Sequence, residues 1–125
     1  MKRTESTFGL TLDEWEEAKD QIVTALRIRA GDRQMICYSD LAQEITAIRL
    51  DPHSPQMNHL LGSVLQDEHE AGRPLITAIV THKDGDKEPG PGFYEMSRSL
   101  GYRFDEPFVF WATQVQEVFK FRYPL

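Results

Sequence analysis

Apolar residues recur at helical spacing through the first quarter of the chain. Leu12, Trp15, Ala18, Ile22, Ala25 and Leu26 fall on one stripe, with acidic residues between them. A period of 3.6 residues predicts an amphipathic helix over about 12–30. Thr11-Leu12-Asp13-Glu14 reads as a capping box, in which a Thr hydroxyl takes an orphan amide and Glu14 reaches back to the cap. Asp13 and Glu14 also suit the positive end of the helix dipole, and Gly31 reads as the stop. Met35-Ile36-Cys37-Tyr38 then reads as a short strand. Ser39 can cap a second helix, Asp40 to about Ile48, with Leu41, Ala42, Ile45 and Ile48 turned inward. Pro52 closes off that pattern, because proline lacks a donor and restricts the residue before it.

Ser54-Pro55 starts a third helix, with serine at the N-cap and proline at the first helical position. Its apolar face is Met57, Leu60, Leu61, Val64 and Leu65; Gln56, His59, Ser63 and Gln66 fall on the other side. Gly72 and Pro74 end it. Leu75 to His82 is rich in β-branched residues and predicts a strand. Residues 83–92 form a polar loop with an Asp84-Gly85 turn signal and a Pro89-Gly90-Pro91-Gly92 run. A short helix is expected from Phe93 to Leu100, ending at Gly101, and a last one from Glu106 to Lys120. The last carries Phe108, Trp111, Val115, Val118 and Phe119 and is expected to dock beside the first helix. No repeat or linker interrupts the pattern, so the expectation is one domain over residues 1–125, with about ten flexible residues at the N-terminus.

Composition changes this picture little. A chain of 125 residues, 40% hydrophobic and 27% charged, is ordinary for one folded domain. No apolar run approaches the ~20 residues that span a bilayer, and the polar start, Met1 to Thr7, is not that of a signal peptide. The expected location is cytoplasmic, without a membrane partner. Cys37 is the one cysteine, which rules out an intrachain disulfide and a multi-cysteine zinc site. It reads as a small buried hydrophobe. The net charge of −6 argues against broad, non-specific nucleic-acid binding. Half of that excess sits in residues 1–20, where three basic residues face six acidic ones, leaving another face free to be neutral.

The order of elements is informative. Short strand, helix, turn, helix, strand and glycine-rich loop is the order of a winged helix-turn-helix. The expected fold is therefore α+β, a winged-helix-like core with additional N-terminal and C-terminal helices. In such domains the third helix enters the major groove, and exposed amides and hydroxyls can match base edges. Here the candidates are Gln56, Asn58, His59 and Ser63, with Lys83 and Lys87 in the wing as phosphate contacts. The same positions also fit a solvated helix face. The wing is nearly neutral, since Asp84, Asp86 and Glu88 accompany its lysines.

Tyr38-Ser39-Asp40-Leu41-Ala42, the Pro55–Gly72 helix with its Leu61-Gly62, Arg73-Pro74, the strand, and Gly90-Pro91-Gly92-Phe93-Tyr94 together resemble the DNA-binding domain of the alkylguanine-DNA alkyltransferase and alkyltransferase-like family. The resemblance covers roughly residues 35–102 and implies a shape. That family carries Pro-Cys-His-Arg or a variant after the third helix, where this chain has Pro74-Leu75-Ile76-Thr77, so alkyl transfer is not implied.

An enzymatic reading finds less. His53, His59, His69 and His82 have no recognised metal spacing. Pro89-Gly90-Pro91-Gly92 lacks the Gly-Lys-Ser/Thr ending of a phosphate-binding loop. No catalytic residue, metal or cofactor is expected. The sequence thus points to a non-enzymatic module that binds double-stranded DNA. The alternative is a protein-interaction module on the same scaffold, with a protein partner or a second copy held through the terminal helices.

Overall fold

A computed structural model describes residues 11–82 and 88–124. The expected N-terminal flexibility and the wing lysines Lys83 and Lys87 lie outside the described residues. Helix α1 (Leu12–Gly31) is followed by strand β1 (Ile36–Cys37), α2 (Tyr38–Glu44), α3 (Pro55–Glu70), a 3₁₀ turn (Ile76–Ile79), β2 (Val80–Thr81), α4 (Pro91–Ser99) and α5 (Pro107–Lys120). The architecture is α+β, mostly helical, with β1 and β2 paired in parallel, Ile36 opposite Val80 and Cys37 opposite Thr81.

The caps act as their sequences require. The Thr11 hydroxyl accepts from the Glu14 amide at 3.1 Å, and the Thr11 amide donates to the Glu14 carboxylate at 2.9 Å. Trp15, Ala18, Ile22, Ala25, Leu26 and Ala30 are the buried stripe of α1. Gly31 is the last helical residue, and the left-handed position falls on Arg33, at φ 55°. The amide of Gln34 donates to the Arg29 carbonyl and that of Arg33 to the Ala30 carbonyl, a Schellman ending. The same motif closes α3 at Gly72 and α4 at Gly101, where glycine carries the positive φ at no steric cost.

Helix α2 begins two residues before the expected Asp40, with Cys37 at the N-cap, so Ser39 falls inside the helix. It also ends early, at Glu44. The Gln21 side chain of α1 explains this. Its oxygen accepts from the amides of Thr46 and Ala47 at 2.9 and 3.0 Å, and its nitrogen donates to the Thr46 hydroxyl at 2.7 Å. Those amides are thereby turned away from the helix. Helix α3 starts as expected, with the Ser54 hydroxyl accepting from the Met57 amide and Pro55 in the first turn.

The expected strand from Leu75 to His82 is corrected to a 3₁₀ turn followed by two strand residues. Every residue from Leu75 to Thr81 is buried, so alternation carries no information there. A strand would have needed ladder partners. Instead α5 satisfies the backbone: the Trp111 indole N–H donates to the Ala78 carbonyl at 2.7 Å, and the Gln114 side-chain oxygen accepts from the Leu75 amide at 3.2 Å. Helix α5 accordingly packs chiefly on the turn, with a smaller contact to α1. The turn also touches α1 and α3 and sits at the centre of the core. Cys37 is half-buried, not fully buried as expected, because it points to the opposite face of β1 from Ile36.

Candidate functional site

Helix α3 carries two faces. Met57, Leu60, Leu61, Val64 and Leu65 are buried. One further residue continues that stripe, Glu68, which is 2% exposed. The Schellman ending of α3 sets Arg73 beside Glu68, because the motif normally brings those two positions into apolar contact. Here the contact is an ion pair, and the Arg73 amide also donates to the Glu68 carbonyl at 2.9 Å. Burial, followed by the nearby Glu68 carboxylate, pushes the Tyr123 phenol well above its ordinary range.

Much of the polar face of α3, exposed at Asn58, His59 and Gln66, lines a groove of about 670 Å³, walled on one side by Trp15, Glu16 and Lys19 of α1 and on the other by Phe93, Glu95, Met96 and Ser99 of α4. Polar and ring contacts help hold α1 against α3. The Trp15 and His59 rings are 5.5 Å apart, and Lys19 pairs with Asp67 at 2.6 Å. One glycine lets α4 come close: a side chain at Gly92 would overlap the Asn58 side-chain amide, whereas one at Gly62 would meet the Met96 sulfur at an ordinary contact distance of 4.0 Å.

A second hollow of about 410 Å³ continues past the start of α3, lined by His53, Ser54, His82 and Gly90 to Gly92. Tyr38, Pro55, Asn58, Gly92 and Glu95 line both spaces. The Tyr38 hydroxyl accepts from the Gly90 amide at 2.9 Å, and its ring lies 6.1 Å from His53 and 5.5 Å from His82. Burial raises the Tyr38 pKa, opposed by the Gly90 hydrogen bond.

One polar atom sealed beneath the floor is unusual. Thr77, in the 3₁₀ turn, is 4% exposed and lines the groove, and its Oγ1 has no hydrogen-bond partner among the described residues. The exposed Glu95 stands on the rim, and the groove's lysine, Lys19, is paired with Asp67.

Of the residues singled out from sequence, the groove gathers Asn58 and His59, both exposed, and Ser63, half-buried. Gln56 is half-buried and stands outside its lining. Lys83 and Lys87 lie outside the described residues. Sequence reading missed the walls. Trp15 was legible only as core, and it is also a wall; Thr77, Glu95 and Met96 gave no local signal. His69, considered as a ligand candidate, contacts the Tyr102 hydroxyl at 3.1 Å. Among the described residues, no three His, Cys, Asp or Glu side chains are grouped to hold a metal ion, and no helix is long and apolar enough to cross a membrane.

No family model, curated protein or solved structure matches the chain.

Proposed function

We propose that this chain is a non-enzymatic binding module, built on a winged-helix-like plan, that receives a protein segment in the groove over α3. The observation that carries the proposal is the groove in which Asn58, His59 and Ser63 of α3 are flanked by α1 and α4. A reading helix must enter a major groove about 12 Å wide, and that favours a helix standing proud of its neighbours. A helix flanked on both sides favours an inserted segment. The volume of about 670 Å³ lies within the range of ligand-binding clefts. Glu95 on the rim would face phosphates unfavourably, in a chain of net charge −6.

Double-stranded DNA remains the second reading, favoured by the order of the elements and by the exposure of Asn58 and His59 on the first half of α3.

Selection from a displayed peptide library decides between them. Wild-type protein is expected to enrich peptides that a Ser63→Trp variant, with the groove filled, does not retain. Equal retention by both proteins, together with salt-sensitive binding of short duplex DNA that shifts the Asn58 side-chain signal, would sink the segment reading in favour of DNA.

A further inference from the structure

We infer that the outward face of α5 forms an antiparallel two-fold contact with a second copy of this chain. The contact is separate from the groove over α3, to whose described lining α5 contributes nothing.

That face is unusual for a surface helix. Trp111 and Val118 are the buried residues of α5. On the opposite side Val109, Thr113, Gln116 and Lys120 recur at spacings of four, three and four, and all are exposed. No charged residue occurs from Pro107 to Gln116, in a chain that is 27% charged. Phe108 is 57% exposed and Val109 54%, although Phe108 leans on Trp111 with ring centroids 5.6 Å apart. The Thr113 hydroxyl donates to the Val109 carbonyl at 2.9 Å, so its polar atom is engaged within the helix. Apolar residues scattered over a surface mean little, whereas adjacent ones on an uncharged face mark a contact site.

Charge at the two ends of the face selects the occupant. Asp105 and Glu106 precede the helix, and Lys120 and Arg122 close it. All four side chains are exposed, and none takes part in an ion pair among the described residues. A second copy laid antiparallel brings each acidic end against a basic end, twice over by symmetry. The two helix dipoles also oppose each other in that arrangement. A parallel copy would set like charges together. With Asp105 of one copy opposite Lys120 of the other, Ala112 and Thr113 fall at the two-fold axis, where small side chains let helices approach. Phe108 then meets the half-buried Phe119 on one flank. Glu117 stands on the other flank, about 100° round the helix from Gln116. One helix face is a small interface, so the dimer exchanges with monomer.

Sedimentation equilibrium from micromolar to millimolar protein tests this. The mean mass is expected to rise with concentration towards that of two chains, and less steeply at high salt, which screens the exposed end charges. Val109→Asp should weaken association roughly tenfold or more, because symmetry brings the new charge in twice. Asp105→Lys/Glu106→Lys and Lys120→Glu/Arg122→Glu should each be monomeric, and an equimolar mixture of the two should recover a dimer. Unchanged far-ultraviolet circular dichroism shows that each variant still folds. A chain that stays monomeric at millimolar concentration overturns the inference and leaves the face to a different protein. A dimer that Val109→Asp does not weaken overturns it by moving the contact to another face. Charge variants that stay monomeric when mixed overturn it by removing the matching of the ends.

Discussion

Replacing Arg73 by methionine tests what the buried carboxylate of Glu68 needs. Glu68 is 2% exposed, and its partner's side chain is 31% exposed. Removing one member of a buried pair costs roughly 3–5 kcal/mol, because the other charge is left in a poorly solvated place. Water can reach the side that Arg73 now covers, so the expectation falls below that range, to about 2–3 kcal/mol. That is a large share of the ~5–15 kcal/mol that holds such a domain together. The double variant Glu68→Leu/Arg73→Met removes both charges and extends the apolar stripe of Leu61, Val64 and Leu65 by one turn. Apolar replacement of a buried pair is often neutral, so the double variant should recover to within about 1 kcal/mol of wild type. Urea unfolding followed by tryptophan fluorescence measures all of these, with a midpoint shift at constant slope as the signature. An Arg73→Met cost below about 0.5 kcal/mol, or a double variant no more stable than Arg73→Met alone, would refute the claim that Glu68 depends on this arginine.

Other expectations follow from single contacts. Thr77→Val removes an unsatisfied buried hydroxyl and should stabilise the free protein by roughly 1 kcal/mol, read as a rise in Tm. Arg33→Gly relieves a left-handed residue with a side chain and should add about 1 kcal/mol by urea titration. Trp111→Phe strands the buried Ala78 carbonyl and should cost roughly 1–3 kcal/mol by the same assay. Burial raises the pKa of Tyr38, Tyr102 and Tyr123 in the folded state, so their neutral forms favour folding. That contribution is complete below the ordinary value of 10.0 and is lost as pH climbs through the raised values. Stability should therefore fall above pH 10.0, alongside tyrosinate absorbance that appears later in folded than in unfolded protein.

What could be read in the sequence was local. Helices α1 and α3 announce themselves through Thr11-Glu14 and Ser54-Pro55, each cap acting within four residues, and through stripes that tertiary packing then confirms. The stripe of α3 even reached Glu68, which falls one turn beyond Val64, but a glutamate at a core position is visible only if periodicity is allowed to outrank polarity. Where partners came from afar, the reading failed. Helix α2 stops short because Gln21, on another helix, takes the amides of Thr46 and Ala47. Leu75–His82 is not one strand because Trp111 and Gln114 supply its hydrogen bonds. The groove is a non-local object in the same sense. Asn58, His59 and Ser63 were found from one helix, whereas its walls required knowing that α1 and α4 flank that helix.

The 3₁₀ turn gives the groove a mechanical character. The segment that holds Thr77 at the floor is also clasped by α1, α3 and α5 and continues into β2. The floor therefore cannot yield without disturbing its packing against three helices, and close-packed interiors resist such deformation. A partner should meet a receptacle already shaped, with little loop ordering to offset and nearly superimposable free and occupied backbones. Recognition would then be governed by how long an occupant stays, with dissociation rates carrying the differences among related sequences.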